Sequence, residues 1–597
     1  MGKNIYFKGK RKVKSQGENF KGIFLRLLLI ALLGLVIYSN TFDASWHLDD
    51  YYSILLNHKI TNLSQTFQDI ILNPRGICDF TFAVNYYFSG PNVFGFHVIN
   101  LIIHIISAFM VYFIIRLTLI IYEGENSDSL PGQLKNLPLA GSLIFVAHPI
   151  QTQAVTYIVQ RYASLATMFY LMSLLFFIKA RLKLFRNNCK FFSIHHFPYY
   201  FCSFVCAILA MRTKEIAATI PLVLLLYYFI FFKETEKKLK DTLFYLIPFF
   251  ILVLIIVVLR IYFVSPDFTE FGDSIARGLK DTSASITRSE YAITSINVIL
   301  TYIRLLFLPI NQNIIPTYPI SASIFSNYTY LSLFVHIAII VFAAVIFQTS
   351  RLISFGIFWF YITLSVESSI ILIGNVKFEH RLYLPSMGFV IFLIGVVLVK
   401  IEWRNIFYPI FLIIIVMLSA ATYNRNFVWK NDFTLWSASL APFNIKPDYV
   451  SVCIILGDFF EKKGFLDKAI DEYINAINIR KDYAEAHLNL GYTYNLKGRF
   501  EDAIKEYQIA LEIAQDNPLV YNNLGIVYFN QGKLEDAIKE FNTALRISPD
   551  YFEARYNLGV AYKKKGLLGE AIEEFKNVLK ISPNFIQARQ AIESISK

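Results

Sequence analysis

The sequence predicts an all-α protein in two parts: a polytopic membrane domain of about 11 helical spans, then a solenoid of helical repeats in water. Three observations carry this. The chain is 55% hydrophobic and 16% aromatic with a mean hydropathy of +0.47, too apolar for a soluble globule. Charged residues make up 17%, against about 25% in soluble domains, and are sparse from 22 to 425 but dense from 446 onward. Finally, the last part of the chain repeats itself every 34 residues.

The first part opens with a basic segment, 1–21, expected in the cytoplasm. It leads into an apolar run at 22–40, long enough to cross a hydrocarbon core of about 30 Å. No small-x-small cleavage pattern follows, so the run reads as an uncleaved anchor. Further spans are expected near 95–121, 138–156, 164–180, 198–210, 216–232, 242–264, 328–348, 352–373, 384–400 and 405–423. Another apolar helix, 291–308, carries Arg304 and closes at Pro309; it is expected to dip in or lie along the interface, leaving 11 crossings. Basic clusters at Lys3–Lys21, Lys179–Lys190 and Lys233–Lys240 abut spans, the pattern of cytoplasmic loops. They assign the net charge of +12 to anionic lipid head groups, with no call for nucleic acid. Alternation then puts the loop 41–94 on the outer face, with His148 to Arg161, Arg212 to Glu215 and Glu379 to Arg381. The membrane domain is expected over 22–425 and a linker over 426–447.

From 448 the period takes over. Leu456-Gly457, Leu490-Gly491, Leu524-Gly525 and Leu558-Gly559 recur, with Phe460, Tyr494, Tyr528 and Tyr562 three positions after each glycine. Gly464, Gly498, Gly532 and Gly566 break the first helix of each unit, and Ala469, Ala503, Ala537 and Ala571 begin the packed face of the second. Pro518, Pro549 and Pro583 end repeats. Small residues where helices approach, with aromatics between them, let stacked units bury one another's apolar faces. The pattern resembles the tetratricopeptide repeat, with four units and a capping helix from about Asn584 over 448–597. Such a solenoid implies a concave groove for an acceptor protein or peptide.

The cysteines Cys78, Cys189, Cys202, Cys206 and Cys453 have no metal-ligand spacing, and no metal site is expected. His97, Asn100 and His104 mark one polar face of the second span; with no third ligand nearby, hydrogen bonding between helices is the expectation. Ionisable groups in spans cost roughly 2.5–3.5 kcal/mol each, so their presence calls for a partner or a wet cavity. Glu367 lies in the ninth span, and His148, Gln151, Arg161, Arg212, Lys214, Glu215, Glu379, His380 and Arg381 lie at outer ends. Any one alone reads equally as an interface anchor. Gathered on one face with Arg75, Asp49 and Asp50, they describe a site where an anionic substrate meets a proton acceptor. Adjacent carboxylates raise each other's cost of ionisation, which can poise one of them as a base.

The quoted segments also resemble a known family. His47-Leu48-Asp49-Asp50, Asn92 to His104, His148 to Val155 with Arg161, Thr213-Lys214-Glu215, Tyr302 to Pro309, Glu379 to Ser386, and Tyr423 to Asn426 with Trp429 follow one another in order. This is similar to the transmembrane, tetratricopeptide-containing O-mannosyltransferases and their bacterial relatives, integral-membrane glycosyltransferases of the GT-C class. The chain departs from that pattern at Arg75-Gly76, where the family has Arg-Pro. The resemblance implies a polyprenyl-phosphate sugar donor, transfer of a hexose such as mannose to protein Ser or Thr hydroxyls, and an outer-face site. It implies Asp49 as base with Asp50 beside it, and Arg161, Lys214, Arg381 and Arg75 at the donor phosphate. His47, His148, Glu215, Glu379 and His380 would support them. No cofactor is expected, while an acidic pair leaves a divalent ion open. A bacterial inner membrane is expected, with the repeats outside the cytoplasm. Competing expectations are a membrane-anchored scaffold and a polysaccharide ligase or polymerase; the latter would call for a large later outer loop, and 265–290 is modest.

Overall fold

The computed structural model describes residues 20–596 apart from 48–49, 56, 71–72, 124–129, 131–133, 188–195, 233–238, 265–286, 313–317, 369–375, 400–403, 432–433, 436–437, 439–448 and 583–584. Asp49, Cys189, Pro583 and most of the three basic clusters lie outside the described residues. Every element found is helical, and the chain divides into two units, Met1–Ser439 and Leu440–Lys597.

The first unit opens with α1 (Phe20–Ile37), followed in the loop by α2 (His58–Thr61), α3 (Leu63–Asp69) and α4 (Gly76–Ser89). Asn57 and Asn62 cap α2 and α3 with side-chain oxygens that accept backbone N–H groups. Next come α5 (Val93–Glu123), α6 (Leu137–Ala147), α7 (Thr152–Thr156), α8 (Arg161–Asn187), α9 (Phe197–Met211), α10 (Ile220–Phe231) and α11 (Leu239–Val264). The unit closes with α12 (Arg288–Phe307), α13 (Thr329–Val345), α14 (Arg351–Leu364), α15 (Ser386–Val399) and α16 (Arg404–Asn426). Among the described residues six helices are long and apolar enough to cross a membrane, and six shorter apolar helices accompany them.

Two expectations need correcting, at 138–156 and at the linker. The span expected at 138–156 stops at Ala147, because Pro149 removes a donor and holds His148 extended (φ −74°, ψ 125°). Helix α12, expected to dip in or lie along the interface, is long and apolar enough to cross by length and composition. Its start is fixed by a capping box in which Thr287 and Glu290 exchange backbone and side-chain bonds. The linker expected from 426 begins later. Asn426 Nδ2 donates to the carbonyl of Ile37 (3.0 Å), and Trp429 is buried, stacked on Tyr157 with ring centroids 5.1 Å apart.

The polar face of α5 does bridge helices. Asn100 Nδ2 donates to the carbonyls of Val155 and Ile158, and His104 Nδ1 lies 2.7 Å from the Tyr383 hydroxyl. Helices α14 and α15 pack backbone to backbone: a Cβ on Gly388 would stand 2.6 Å from the Gly356 carbonyl oxygen.

The second unit comprises α17 (Tyr449–Lys462), α18 (Leu466–Ile479), α19 (Ala484–Leu496), α20 (Phe500–Ile513), α21 (Pro518–Asn530), α22 (Leu534–Ile547), α23 (Phe552–Lys565), α24 (Leu568–Ile581) and α25 (Ile586–Ser596). Successive helices pair as four hairpins, with α25 stacked on the last, as the repeat predicts. Gly491 shows why the position is small: a Cβ there would meet the Tyr507 ring at 2.8 Å. Gly566 ends α23 at φ +87°, a conformation glycine adopts without strain.

Candidate functional site

The first unit is organised around an irregular segment, 148–160, whose short helices are buried from His148 to Val159. Irregular backbone at membrane depth survives only where protein satisfies it. Here each neighbour contributes. His148 Nε2 donates to the Leu306 carbonyl (2.9 Å) and its Nδ1 accepts from Ile150 N–H (3.2 Å). Gln151 Nε2 donates to Ser386 Oγ (2.9 Å), and Gln153 Oε1 accepts the His380 backbone N–H (2.7 Å). Thr156 Oγ1 donates to Asn426 Oδ1 (3.3 Å).

Asp50 is anchored to the same segment. It is fully buried; Oδ1 accepts Val159 N–H (2.7 Å) and Oδ2 accepts His47 N–H (3.0 Å). His47 Nε2 in turn donates to the Trp429 carbonyl at 2.7 Å. His47 and Asp50 are thus tied to distant backbone.

Arg161 differs from the phosphate ligand expected of it. It is fully buried, with Nε donating to Asn100 Oδ1 (2.7 Å) and Nη2 to Asn85 Oδ1 (2.8 Å) and the Phe96 carbonyl (3.1 Å). Nη1 reaches the Thr81 carbonyl at 3.3 Å, and the guanidinium lies 4.4 Å from the centroid of the Phe82 ring. Its fork is engaged in joining α4, α5 and α8, and a phosphate would have to displace these bonds. His148 is likewise engaged in shaping its turn.

The remaining expected residues fall into two groups. In the first, Arg75 Nη2 lies 3.4 Å from Glu215 Oε1, about half exposed, and 5.3 Å from the centroid of the Tyr162 ring. Arg212 Nη2 donates to the carbonyls of Ile70 (2.7 Å) and Asn73 (2.6 Å), tying the loop to the end of α9. Asp79, not singled out from the sequence, accepts the Tyr162 hydroxyl and Asn73 Nδ2. Burial pushes its carboxyl above the usual range, against these bonds and the nearby Arg75 and Lys59.

The second group is the stronger site. Lys214 Nζ lies 2.6 Å from Glu367 Oε1, both nearly buried. Glu379 Oε2 accepts from Arg425 Nη2 and Gln312 Nε2, each at 3.1 Å. Arg381 Nη1 donates to the Val376 carbonyl (2.9 Å) and the Tyr291 hydroxyl (3.3 Å). The Tyr302 hydroxyl both donates to the carbonyl and accepts the N–H of Phe378, at 2.9 Å each, clamping the chain before Glu379. Burial, with Lys214 and Arg381 as neighbours, pushes the His380 imidazole well below its ordinary 6.5. Lys377 is a further neighbour of Glu379 and Arg425. Among the described residues, Lys214, Lys377, Arg381 and Arg425 thus gather around two carboxylates, Glu367 and Glu379, a group with more cationic than acidic side chains.

An apolar cavity of about 270 Å³ opens among α12, α13, α14 and α15, lined by Leu306, Phe307, Phe342, Phe360, Phe389 and Phe392 among others. Leu306 and Phe360 pack with Tyr291, Tyr302, Val376 and Leu382, so the cavity shares a wall with the charged group. No three His, Cys, Asp or Glu side chains gather as a metal-ligand set among the described residues.

Sequence reasoning noted Glu367 as an acid in an apolar stretch but gave it no role. Arg425 appeared only within a matched segment. The isolated charge was the available signal in both cases.

The tetratricopeptide repeat family matches residues 457–498, 491–532, 527–566 and 552–585. A protein O-mannosyl-transferase of Caenorhabditis elegans is 25% identical over 79% of this chain and 64% of its own length. The chain's relatives are protein O-mannosyl-transferases by name. Human TMTC2, so named, is 27% identical over 32% of this chain and 22% of its own. The chain thus spans less than two thirds of the length of these relatives. Among solved structures, that of MamA is 28% identical, covering 25% of this chain and 80% of MamA, with a TM-score of 0.23.

Proposed function

We propose that this protein is an integral-membrane glycosyltransferase that moves a hexose, mannose by kinship, from a polyprenyl-phosphate donor to Ser or Thr hydroxyls of proteins. The single observation that carries the reading is the buried group at Lys214, Lys377, Arg381 and Arg425 with Glu367, Glu379 and His380, richer in cations than in carboxylates and walled by an apolar cavity. A lipid-linked phosphodiester needs both features at once: cations for the phosphate and an apolar channel for the chain. Cations in a water-poor site stabilise the departing phosphate most strongly.

The acceptor hydroxyl attacks the anomeric carbon, the bond from that carbon to the phosphate oxygen breaks, and polyprenyl phosphate leaves with the electron pair. A base takes the hydroxyl proton, and Asp49 is assigned that task, with inversion at the anomeric carbon. Asp50 positions it, since both Asp50 oxygens are held by backbone N–H groups. Lys214 and Arg381 are assigned to the phosphate. Arg75, paired with Glu215 at a more exposed point, is assigned to its approach. The tetratricopeptide groove would hold the acceptor chain, and the active face and repeats would share the extracytoplasmic side of a plasma membrane.

The test is transfer of labelled mannose from polyprenyl-phosphate mannose to candidate acceptor proteins by the purified chain. Asp49→Asn is expected to lower turnover by roughly 100- to 10,000-fold while the protein still inserts and melts normally. Full activity in that variant, or no transfer by the parent chain, would favour a tethered scaffold instead.

A further inference from the structure

Within the charged group, four buried atoms have no hydrogen-bond partner among the described residues: Glu379 Oε1 and Arg425 Nε, which belong to one ion pair, and Glu367 Oε2 and His380 Nδ1, which lie around Lys214 and Arg381. Glu367 is only 3% exposed, spends Oε1 on Lys214, and has its carbonyl held by the Tyr291 hydroxyl at 3.3 Å. His380 is held by its backbone N–H on Gln153, and its ring stacks on Phe378 with centroids 5.1 Å apart. Both lie around the same cations, since His380 has Lys214 and Arg381 as charged neighbours and Arg381 has Glu367. Natural structures rarely leave buried polar atoms unmatched, because each costs its full desolvation.

The chemistry of Glu367 Oε2 and His380 Nδ1 is specific. A carboxylate oxygen accepts hydrogen bonds and donates none; a neutral imidazole accepts at the ring nitrogen that carries no proton, the role assigned to His380 Nδ1, with the proton on Nε2. A phosphodiester has only acceptors, and a prenyl chain has neither donors nor acceptors. The hydroxyl donors of a lipid-linked sugar are all on the hexose. We propose that Glu367 and His380 read the hexose of the donor by accepting hydrogen bonds from its hydroxyls, while Lys214 and Arg381 hold the phosphate. This rests on the lipid-phosphate reading above and adds the part of the site that distinguishes a sugar-bearing lipid from a bare one.

The experiment compares binding of two diesters of equal charge, polyprenyl-phosphate mannose and polyprenyl methyl phosphate, to the full chain in detergent. The parent protein is expected to prefer the mannosyl lipid by roughly 10- to 100-fold, the range that one or two buried hydrogen bonds supply. In Glu367→Gln and His380→Asn the preference is expected to fall several-fold, with affinity for the methyl diester changed by less than about 3-fold in His380→Asn. Glu367→Gln also releases Lys214, so for it the ratio is the readout. A series of monodeoxymannosyl lipids on the parent protein needs no variant and covers the case of misfolding. At least one is expected to bind roughly 10-fold more weakly. An unchanged ratio in both folded variants, or a deoxy series that binds uniformly, overturns the inference. Equal binding of the two diesters overturns it while leaving the lipid-phosphate reading intact. No binding of either lipid overturns both.

Discussion

At the scale of single residues, three of the four cations expected at the donor phosphate sit in different surroundings. Arg161 holds four acceptors inside a helix junction, Lys214 faces an acid, and Arg75 stands half in solvent. Replacing Arg161 by Met leaves those buried acceptors unmatched and is expected to cost roughly 3 kcal/mol or more, read as a lower melting temperature with no donor present. Lys is not expected to rescue it, because one ammonium cannot reproduce a planar fork. His380 gives a pH prediction. Its imidazole titrates well below the ordinary 6.5 in the folded chain, so below that value the unfolded state binds a proton the native state refuses. Stability is therefore expected to fall as the pH drops from about 6.5, and His380→Phe to flatten the fall in a melting series. Little of this was legible beforehand. Whether Asp50 meets solvent or backbone is decided by Val159, 109 residues away, and no local pattern reports such a pairing.

At the scale of elements, the helices were largely readable and their breaks less so. Apolar length located α1, α5, α6 and α8 to α16, but not the loop helices α2, α3 and α4 or the short α7. The end of α6 followed from Pro149, a signal present in the sequence that the apolar run of 138–156 outweighed. The cost of that break is met by side chains from α5, α15 and α16 and by the Leu306 carbonyl of α12, and they make 148–160 the frame of the site. The crossing of α14 and α15 depends on the near contact of Gly356 and Gly388. Leu at Gly388 would place its Cβ against a backbone oxygen, which can move only with its helix. That variant is expected to lose roughly 1–3 kcal/mol, seen as early melting and a reduced monodisperse fraction on size exclusion. Because Gly356 lines the apolar cavity, affinity for a lipid donor is expected to fall with it.

At the scale of the whole molecule, two units of opposite character share one chain. The repeats carry their own apolar contacts between neighbouring helices, so residues 440–597 alone are expected to fold in water without detergent. Cooperative melting by circular dichroism at 222 nm checks this, and a non-cooperative transition would count against it. The sequence by itself determined the class of each unit, the repeat register and most helix positions, because hydropathy, period and helix breakers act over a few residues. It also brought Lys214, Glu379, His380 and Arg381 to notice, since charge in an apolar run is conspicuous wherever the chain later goes. Only the tertiary structure decided which of these groups meet. Pairing Lys214 with Glu367, engaging Arg161 in a junction and leaving Glu367 Oε2 and His380 Nδ1 unmatched among the described residues are outcomes of packing between distant helices. In such packing, burial makes every unmet hydrogen bond costly, so the partner a group finds determines what it can do.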